Sequence, residues 1–382
     1  MTLGIDIEQF VTDPYGTGIQ RVLHQLALNW PADVPASFVV PFHGGFGLLT
    51  PEEATGLLAL PFAPRDPETD LRDLVNAYLA ETVTVRVQLG DLLAVHDGWL
   101  LPEVSYLPSV LQRLEIFERC MPTAMIGYDA LPMTQPGNYR FVPGTASWVS
   151  EYFRHLTRVD SVICISDYAA DEITGRLRRD LRKTTIVAHP GGDHIAMRAP
   201  KPRQQGAPVR FLRLGTLEAR KQPVEILAGF RQAIAQGANA ELVFIGKPSP
   251  SDQAINDTIA AAIDEGLPVT WITHADDALV YDELHRADLF LSIGIEGYGI
   301  PVLEAIRLGT PVLHSGIQPA GDLMEGKGAR AIEASSSESL GAAFVHFSAT
   351  EERDRLTQEI GEAQVPTWKA FADSVAHHST GR

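Results

Sequence analysis

The stretch from Gly294 to Ser315, which reads GIEGYGIPVLEAIRLGTPVLHS, constrains the fold of this chain more than any other. It follows a short apolar run, residues 288–293, whose length is typical of a buried strand. Pro301 suits the first turn of a helix, so the stretch predicts a strand, a glycine-rich turn, a helix and a second strand. Gly297 and Gly299 let a ligand approach the backbone, and the N–H groups at a helix start favour an anion. We therefore predict a phosphate-binding turn in an α/β sheet.

Two carboxylates lie close to this turn. Glu296 precedes it, and Glu304 follows eight positions later in the predicted helix. A carboxylate beside a phosphate is repelled unless it accepts hydrogen bonds from hydroxyl groups, which a sugar and a ribose supply. The pattern therefore favours a sugar nucleotide as the ligand. The alternative is that Glu296 is a solvated loop residue and that Glu304 only complements the helix dipole.

The chain ahead of this stretch repeats the same rhythm. From residue 209 onward, apolar runs short enough for strands alternate with longer segments of helical period. The alternation is typical of a parallel sheet covered by helices on both faces. The predicted elements are strands at residues 209–214, 241–246 and 269–273 and helices at residues 223–235 and 252–265.

The first half also begins as an α/β layer. A strand is predicted at residues 3–7, a tight exposed turn at residues 13–18 and an amphipathic helix at residues 19–30. The dinucleotide fingerprint G-x-G-x-x-G is absent from this turn, which argues against a simple dehydrogenase. Further strands are predicted near residues 83–89, 92–95, 123–127 and 161–165.

Polar residues follow several of these predicted strands, at the edge where α/β sheets assemble their sites. His96 and Asp97 follow the strand predicted at residues 92–95, and Tyr128 and Asp129 follow the next one. Asp129 is a candidate base or acceptor-orienting group, with a turn-capping role as the alternative. His96 is a candidate site residue, although an isolated histidine at a strand end is also compatible with a simple hydrogen bond.

The segment GTLEARK places two cations in an unusual position. Arg220 and Lys221 stand just before the helix predicted to start at residue 223. The helix dipole disfavours cations there unless a bound anion compensates them. We therefore interpret both as candidate ligands of a phosphate, with solvated surface cations as the alternative.

These motifs together resemble the donor-binding signature of family 4 glycosyltransferases, the retaining group with the two-domain GT-B fold. The resemblance implies that Glu296 contacts the transferred sugar and that Glu304 contacts the ribose. It also implies that Arg220 and Lys221 neutralise the leaving diphosphate, and Thr216 stands where many members have an arginine. The turn amides expected to hold the diphosphate belong to Gly297, Tyr298, Gly299 and Ile300.

The first half carries a weaker resemblance to the same family. GTGIQRV is similar to the N-terminal glycine loop of members that transfer mannose or deoxyhexoses in bacterial surface polysaccharides. The segment YDALP resembles the position where the family usually has His-Asp, and Tyr128 replaces that histidine here. The resemblance implies that Gly16, Thr17 and Gly18 line the cleft opposite the donor and take part in donor binding. The strand-end pattern and the resemblance place His96, Asp97, Tyr128 and Asp129 at the acceptor side or in the cleft.

The resemblance also implies the domain organisation of an α/β, GT-B chain with two Rossmann-like domains facing each other across a cleft. Residues 1–198 are expected to form the acceptor-binding domain and residues 209–365 the nucleotide-sugar-binding domain. The proline-rich segment between them, residues 197–208, is interpreted as a linker. Residues 366–382 are expected to form a helix that crosses back to the first domain, with Trp368 packed between domains.

Charge and composition limit the kinds of binding partner and the location that are expected for the protein. The net charge of −17 argues against a nucleic-acid partner, because phosphate backbones attract positive surfaces. The two cysteines, Cys120 and Cys164, lie in apolar surroundings and are expected to be reduced core residues. The amino-terminal sequence does not resemble a signal peptide, so a cytoplasmic location is expected, with the inner face of the membrane as an alternative within it. The basic run at residues 176–183 allows at most a peripheral membrane contact, or is a solvated helix face.

The resemblance implies a retaining hexosyltransferase that moves mannose, as the best guess, from GDP-mannose to a saccharide or lipid-linked saccharide in surface polysaccharide synthesis. Asp129, Glu296 and Lys221 are the expected catalytic residues. No cofactor and no metal site are expected, and the pair Asp6 and Glu8 is not interpreted as one. The alternatives are an epimerase or hydrolase of sugar nucleotides with the same fold, and a binding protein without turnover.

Overall fold

The computed structural model describes residues 2–63, 69–138, 144–201, 206–249, 252–348, 350–361 and 363–380. It contains two compact units. The N-terminal unit comprises Met1–Gly191 and Pro366–Arg382, and the C-terminal unit comprises Gly192–Val365. Part of the predicted linker, residues 202–205, lies outside the described residues. The residues before it already pack on the C-terminal unit, where the Arg198 N–H donates to the Arg307 carbonyl at 2.9 Å.

The N-terminal unit is built on an eight-stranded sheet. Its third strand in chain order is antiparallel to both neighbours, and the other pairs are parallel. The strands are β1 (Leu3–Asp6), β2 (Ala36–Phe42), β3 (Gly45–Leu49), β4 (Val85–Val87), β5 (Gly98–Leu101), β6 (Thr123–Gly127), β7 (Ser161–Cys164) and β8 (Thr184–Val187). Their order across the sheet is β4-β3-β2-β1-β5-β6-β7-β8. The strands predicted at residues 3–7, 123–127 and 161–165 correspond to β1, β6 and β7.

Helices cover this sheet and end at capping residues. In the second helix, Val22, Leu23 and Leu26 are buried at helical spacing, which explains the predicted amphipathic segment. The helices are α1 (Glu8–Thr12), α2 (Gly18–Leu28), α3 (Pro51–Ala59), α4 (Leu71–Thr82), α5 (Leu89–Val95), α6 (Pro108–Phe117), α7 (Leu131–Thr134), α8 (Ala146–Arg158) and α9 (Asp167–Asp171).

One strand prediction in this unit is wrong. Residues 92–95, predicted as a strand, are the end of helix α5. The helix is started by Gln88, whose backbone N–H donates to the Asp91 carboxylate at 2.8 Å. Leu92 is buried whereas Val95 is largely exposed, so the apolar run does not have the burial of a central strand. The strand begins later, at Gly98, and His96 therefore precedes a strand instead of following one.

The C-terminal unit is built on a six-stranded sheet whose described strand pairs are all parallel. The strands are β9 (Val209–Leu214), β10 (Ala240–Ile245), β11 (Val269–Ile272), β12 (Leu289–Ile295), β13 (Val312–Ile317) and β14 (Ala329–Ala331). Their order is β11-β10-β9-β12-β13-β14, so β9 and β12 lie side by side at the centre. The carboxyl ends of these two central strands carry the predicted GTLEARK and glycine-turn motifs.

The helices of this unit pack against the sheet through aromatic side chains. The Phe344 ring contacts the rings of Phe211 and Phe230 edge-on, with centroids 4.7 and 5.4 Å apart. The helices are α10 (Pro223–Ala235), α11 (Gln253–Asp264), α12 (Asp277–Arg286), α13 (Ile300–Arg307), α14 (Pro319–Leu323), α15 (Ser337–Ser348) and α16 (Thr350–Ile360). A 3-10 turn, Ala219–Lys221, connects β9 to α10.

The last helix returns to the N-terminal unit. Helix α17 (Trp368–Ser379) begins at Thr367, whose Oγ1 accepts the Ala370 N–H at 3.2 Å. It packs against α2 and β6, and the Trp368 side chain is buried there. The predicted C-terminal helix that crosses back to the first unit is therefore confirmed.

Two expectations about single residues need correction. Cys164 is buried, and burial raises the pKa of its thiol to about 12, but Cys120 is exposed and is not a core residue. In the basic run, Arg179 is buried and donates to the Leu156 carbonyl at 2.7 Å, so it is structural and not part of a solvated face. Within the described residues, none of the helices combines the length and apolar character needed to cross a membrane.

Candidate active site

Two glycines shape the carboxyl edge of the central strands in the C-terminal unit. Gly294 has a φ of +101°, and a Cβ there would lie 2.1 Å from the Arg220 carbonyl oxygen. Gly215 has a φ of +116°, and a Cβ there would lie 2.6 Å from the Lys221 Nζ. The lack of side chains at these positions lets the 3-10 turn that carries Arg220 and Lys221 lie directly against β12.

This packing brings three of the predicted site residues together. The Lys221 Nζ lies 3.0 Å from Oε1 of Glu296, and the Arg220 guanidinium lies 3.1 Å from Oε2 of the same carboxylate. Arg220 also donates to the Ile295 carbonyl at 2.6 Å and pairs with Glu218 at 2.8 Å. The motif after β9 and the motif after β12 therefore form one charged cluster, which we call the Glu296 cluster (Glu218, Arg220, Lys221 and Glu296).

The charges of the cluster shift one another's ionisation. Burial opposes the charged form of Glu296, but the neighbouring cations Lys221, Arg220 and Arg213 outweigh it and lower the pKa of this carboxyl to about 2. Burial lowers the pKa of Lys221, and the nearby arginines act in the same direction against the attraction of Glu296. Glu296 is therefore ionised at neutral pH and holds two cations that repel each other.

Arg213 is a charged neighbour of this cluster that the sequence patterns did not single out. It lies in β9, and the residue is only 5% exposed. The guanidinium donates to the Leu214 carbonyl at 2.6 Å and, more weakly, to the Ile293 carbonyl at 3.4 Å. Burial, together with repulsion from Arg220, lowers its pKa to about 10. An arginine within the apolar run of a central strand was the available signal for it.

The second predicted carboxylate lies one helical turn inside α13. Glu304 is buried, and its Oε1 lies 2.9 Å from Nε2 of His194, whose side chain is buried as well. His194 lies near the start of the C-terminal unit, 110 positions before its partner. No local pattern distinguishes this histidine, and the sequence patterns missed it. Glu304 is thus held in place by a segment far away in the chain.

The predicted glycine turn leads into α13 as expected. Gly299 is the residue before the helix, has a φ of +105° and is followed by Ile300 and Pro301 in the first turn. The Tyr298 side chain is buried, which raises its pKa, and its carbonyl accepts the Ala320 N–H at 2.9 Å. The phenol ring thus belongs to the core. Only the backbone groups of Tyr298 are placed to contact a ligand.

In the N-terminal unit, the predicted glycine loop starts helix α2. The Thr17 Oγ1 caps the helix by accepting the Gln20 N–H at 3.3 Å, and the Gln20 side-chain oxygen accepts the Gly16 N–H at 2.8 Å. Apart from its chain neighbours and the backbone of its own helix, no heavy atom of the described residues lies within 4 Å of a Cβ placed at Gly18. The loop is therefore an ordered helix start, with Gly16, Thr17 and Gly18 at its tip.

The interpretation of His96 and Asp97 as cleft residues at a strand's carboxyl end is wrong. Both precede β5, at the amino end of the strand, because residues 89–95 are helical. The His96 ring is buried and lies 2.7 Å from the Ser37 Oγ, and burial lowers its pKa. The Asp97 carboxylate accepts the Thr2 N–H at 2.8 Å. Both side chains are thus structural links at the edge opposite the carboxyl ends.

Tyr128 and Asp129 do follow β6, but Tyr128 is not available to a ligand. Its hydroxyl donates to the Pro102 carbonyl at 2.8 Å in the interior, and burial raises its pKa. The cleft role predicted for Tyr128 is therefore not supported. The Asp129 Oδ1 accepts the Leu131 N–H at 3.0 Å, which is the turn-capping interaction considered as its alternative role.

The same edge of the N-terminal unit holds carboxylates that the sequence patterns did not assign. The Arg113 guanidinium donates to Oδ2 of Asp6 at 2.6 Å and forms an ion pair with Oε2 of Glu8 at 2.9 Å. Glu103 follows β5, accepts the Phe10 N–H at 2.9 Å and is buried. Burial raises the pKa of Glu103 to about 8, with repulsion from Asp6 in the same direction.

A comparison with protein families gives the geometry its context. Residues 154–378, more than half of the chain, match the family described as family 4 glycosyltransferases in conflict systems. The chain belongs to this family. The matched region contains the Glu296 cluster, the glycine turn and Glu304, so the predicted membership in family 4 is confirmed.

A mannosyltransferase is among the curated relatives of this family 4 glycosyltransferase. The serotype-specific mannosyltransferase WbdA of Escherichia coli is 25% identical over 236 residues, which cover 54% of this chain and 27% of WbdA. The chain therefore matches about a quarter of the length of that relative.

Solved structures show the same fold. Anabaena HepE in complex with UDP superposes with a TM-score of 0.66 over all of both chains at 14% identity. WaaG, a glycosyltransferase involved in lipopolysaccharide biosynthesis, superposes with a TM-score of 0.59 over all of both chains, also at 14% identity. These similarities confirm the predicted GT-B fold for this glycosyltransferase.

Proposed function

We propose that this family 4 glycosyltransferase transfers a hexose, with retention of configuration, from a nucleotide-diphospho-sugar bound by its C-terminal unit. The observation that carries the proposal is the Glu296 cluster, in which Arg220 and Lys221 meet Glu296 beside the glycine turn. Basic groups for a diphosphate and a carboxylate for sugar hydroxyls thus lie within one hydrogen-bonded group.

In the proposed reaction, the cations stabilise the negative charge of the departing diphosphate. When the bond to the sugar breaks, negative charge develops on the departing diphosphate and positive charge on the sugar. Arg220, Lys221 and the first N–H groups of α13 supply preorganised positive charge for that diphosphate. Because these groups do what a metal ion does elsewhere, we propose that the transfer is metal-independent and needs no cofactor.

We propose that the two carboxylates of the C-terminal unit bind different hydroxyl groups of the donor. Glu296 lies at the mouth of the glycine turn, and we assign it to the transferred sugar. Glu304 lies inside α13, held by His194, and we assign it to the ribose. Asp129, at the carboxyl end of β6, is assigned to the acceptor hydroxyl as an orienting group or base.

For the donor, we propose GDP-mannose, and for the acceptor a saccharide or lipid-linked saccharide in surface polysaccharide synthesis. The similarity to the mannosyltransferase WbdA supports mannose. HepE was solved with UDP, so a UDP-sugar is the competing donor in every test. We further propose that the protein works in the cytoplasm, with at most a peripheral contact to the membrane.

A thermal-shift screen tests the donor site. Wild type, Glu304→Ala and the control Glu338→Ala, which changes an exposed glutamate of α15, are compared with GDP, UDP, dTDP and ADP. One diphosphate is expected to raise the wild-type midpoint by roughly 5–10 °C at about 100 times its Kd. The shift should be lost in Glu304→Ala and kept in Glu338→Ala. Equal shifts in all three proteins, or none in wild type, would contradict the proposed donor site.

Turnover is tested with the matching nucleotide sugar and a panel of saccharide acceptors. Release of the nucleoside diphosphate is expected only when an acceptor is present, with the anomeric configuration of the donor kept in the product. Release without acceptor would indicate a hydrolase. Binding without any release across the panel would indicate a binding protein.

Replacement of His194 by alanine tests how Glu304 is held. The change removes a hydrogen bond to a buried carboxylate and is expected to lower the free energy of unfolding by about 1.5–3 kcal/mol. It should also weaken diphosphate binding by roughly tenfold, because the carboxylate loses its fixed orientation. Urea unfolding and calorimetric titration measure the two effects.

The control for His194 is His377→Ala, because His377 is exposed on α17. It should leave both the unfolding free energy and the affinity unchanged. An unchanged affinity in His194→Ala would show that Glu304 does not depend on this histidine for ligand binding.

A further inference from the structure

Arg213 is a buried cation whose hydrogen bonds, within the described part of the chain, go to backbone carbonyls. Among the described residues, no carboxylate lies within ion-pair distance of its guanidinium, which donates to Leu214 and Ile293 instead. It occupies the same face of β9 as Phe211, a core residue two positions earlier. A buried charge without a direct counter-ion is costly, and an apolar side chain would fill this position without that cost.

The surroundings of Arg213 hold more positive than negative charge. Arg213, Arg220 and Lys221 are cations, whereas Glu218 and Glu296 are the carboxylates that interact with them electrostatically. Among these five described groups, the excess is one positive charge. A bound anion would compensate this excess. The 3-10 turn Ala219–Lys221 carries two of these cations, Arg220 and Lys221, and both pair with the Glu296 carboxylate.

The reaction changes the charge of its diphosphate by one. In the donor, the diphosphate carries two negative charges. The bond between the anomeric carbon and the phosphate oxygen breaks, and its electron pair stays with that oxygen. The acceptor hydroxyl oxygen bonds to the anomeric carbon and releases its proton to water. The free nucleoside diphosphate then carries three negative charges at neutral pH.

We propose that Arg213 is a positioning residue which, through Arg220 and Lys221, favours the diphosphate in its more highly charged, departing state. This inference rests on the proposed donor site and adds to it a residue with a specific effect. The buried guanidinium adds positive potential where water does not screen it, and this potential acts more strongly on three negative charges than on two. Arg213 therefore raises the affinity for the product diphosphate more than the affinity for the donor.

The test compares wild type, Arg213→Met and Arg213→Lys by calorimetric titration with the nucleoside diphosphate and its nucleotide sugar at pH 7.5. Arg213→Met is expected to weaken diphosphate binding by roughly 30-fold and nucleotide-sugar binding by only about threefold. The ratio of the two affinities should thus fall about tenfold. Arg213→Lys, which keeps the charge, should restore most of that ratio.

If Arg213 had a merely structural role, Arg213→Met would weaken the binding of both ligands equally. The proposed role predicts unequal losses of affinity in a protein that stays stable. Methionine removes a buried charge and keeps much of the side-chain volume, so the melting temperature of ligand-free Arg213→Met is expected to stay unchanged or to rise by a few degrees. Equal losses of affinity for both ligands, or no recovery with lysine, would overturn the inference and leave the donor site intact. Absence of diphosphate binding to wild type would overturn the proposed function, and the role of Arg213 with it.

Discussion

Replacement of Gly294 by alanine is expected to lower the free energy of unfolding of the C-terminal unit by about 2–6 kcal/mol and to abolish diphosphate binding. Two costs add up. A φ of +101° strains any residue that has a Cβ, and that Cβ would lie 2.1 Å from the Arg220 carbonyl oxygen. The 3-10 turn must then move away from β12, and it carries Arg220 and Lys221 with it. Urea unfolding and calorimetric titration measure the two losses.

Gly266→Ala is the matched control for this prediction. Gly266 has a φ of +81°, but apart from its chain neighbours no heavy atom in the described part of the chain lies within 4 Å of the position of its Cβ. The control therefore carries backbone strain without a collision and should lose about 1–3 kcal/mol, with its affinity for the diphosphate within twofold of wild type. If both alanine variants lost the same stability and bound the ligand equally well, the contact between the turn and β12 would have no role in the site.

The elements around this glycine were predictable from the sequence for a physical reason. The central strands of a parallel sheet are buried on both faces and therefore appear as short continuous apolar runs. The strand predicted at residues 209–214 and the helix predicted at residues 223–235 correspond to β9 and α10. Pro223 at the start of α10 and the glycines after the strands marked the boundaries.

The failure at residues 92–95 has an equally physical reason. A run of four apolar residues fits a buried strand as well as one turn of a helix, and periodicity alone does not separate them. The capping interaction between Gln88 and Asp91 favours the helix, α5, over a strand. Because that decision shifts the start of β5, it also moved His96 from one end of the strand to the other.

Motifs identified the site residues that are close in sequence, but not their distant partners. Arg220, Lys221 and Glu296 belong to short segments with a recognisable pattern, and the structure brings them into one cluster. His194 contacts Glu304 across 110 positions, and no pattern in a single sequence encodes such a contact. Arg213 differs, because an arginine within an apolar strand is visible in the sequence, whereas its contact with Ile293, 80 positions away, is not.

Replacement of Glu296 by glutamine is expected to destabilise the ligand-free protein. The variant leaves Arg220, Lys221 and Arg213 close together without the carboxylate that Arg220 and Lys221 share. Removal of one partner from a fully buried ion pair typically costs about 3–5 kcal/mol, because the remaining charges stay buried. The pairs of Glu296 are partly exposed, with 21% of the Glu296 side chain accessible, so we expect a smaller loss of about 2–3 kcal/mol at pH 7, measured by urea unfolding. Addition of the nucleoside diphosphate should recover part of it, because the ligand is itself an anion.

The destabilisation should depend on pH in a defined direction. The pKa of Glu296 is about 2 in the folded protein and 4.5 as its ordinary value, so its charge stabilises the fold above about pH 4.5. This contribution is lost as the pH falls from 4.5 towards 2. The difference in unfolding free energy between wild type and Glu296→Gln should therefore be constant from pH 5 to 7 and shrink below pH 4.5. A difference that stays constant down to pH 3 would show that ionised Glu296 is not its source.

The same substitution should separate binding from turnover. Without the competing carboxylate, Arg220 and Lys221 are free to attract a diphosphate, and its affinity is expected to rise about tenfold. Turnover should nevertheless fall by roughly 100- to 1,000-fold, because the proposed contact to the transferred sugar is weakened. Glu218→Gln is the control, since Glu218 pairs only with Arg220 in the cluster and is more exposed. It should raise the affinity slightly and keep most of the turnover. Normal turnover in Glu296→Gln would show that this carboxylate takes no part in the proposed mechanism. Its role would then be limited to pairing with Arg220 and Lys221.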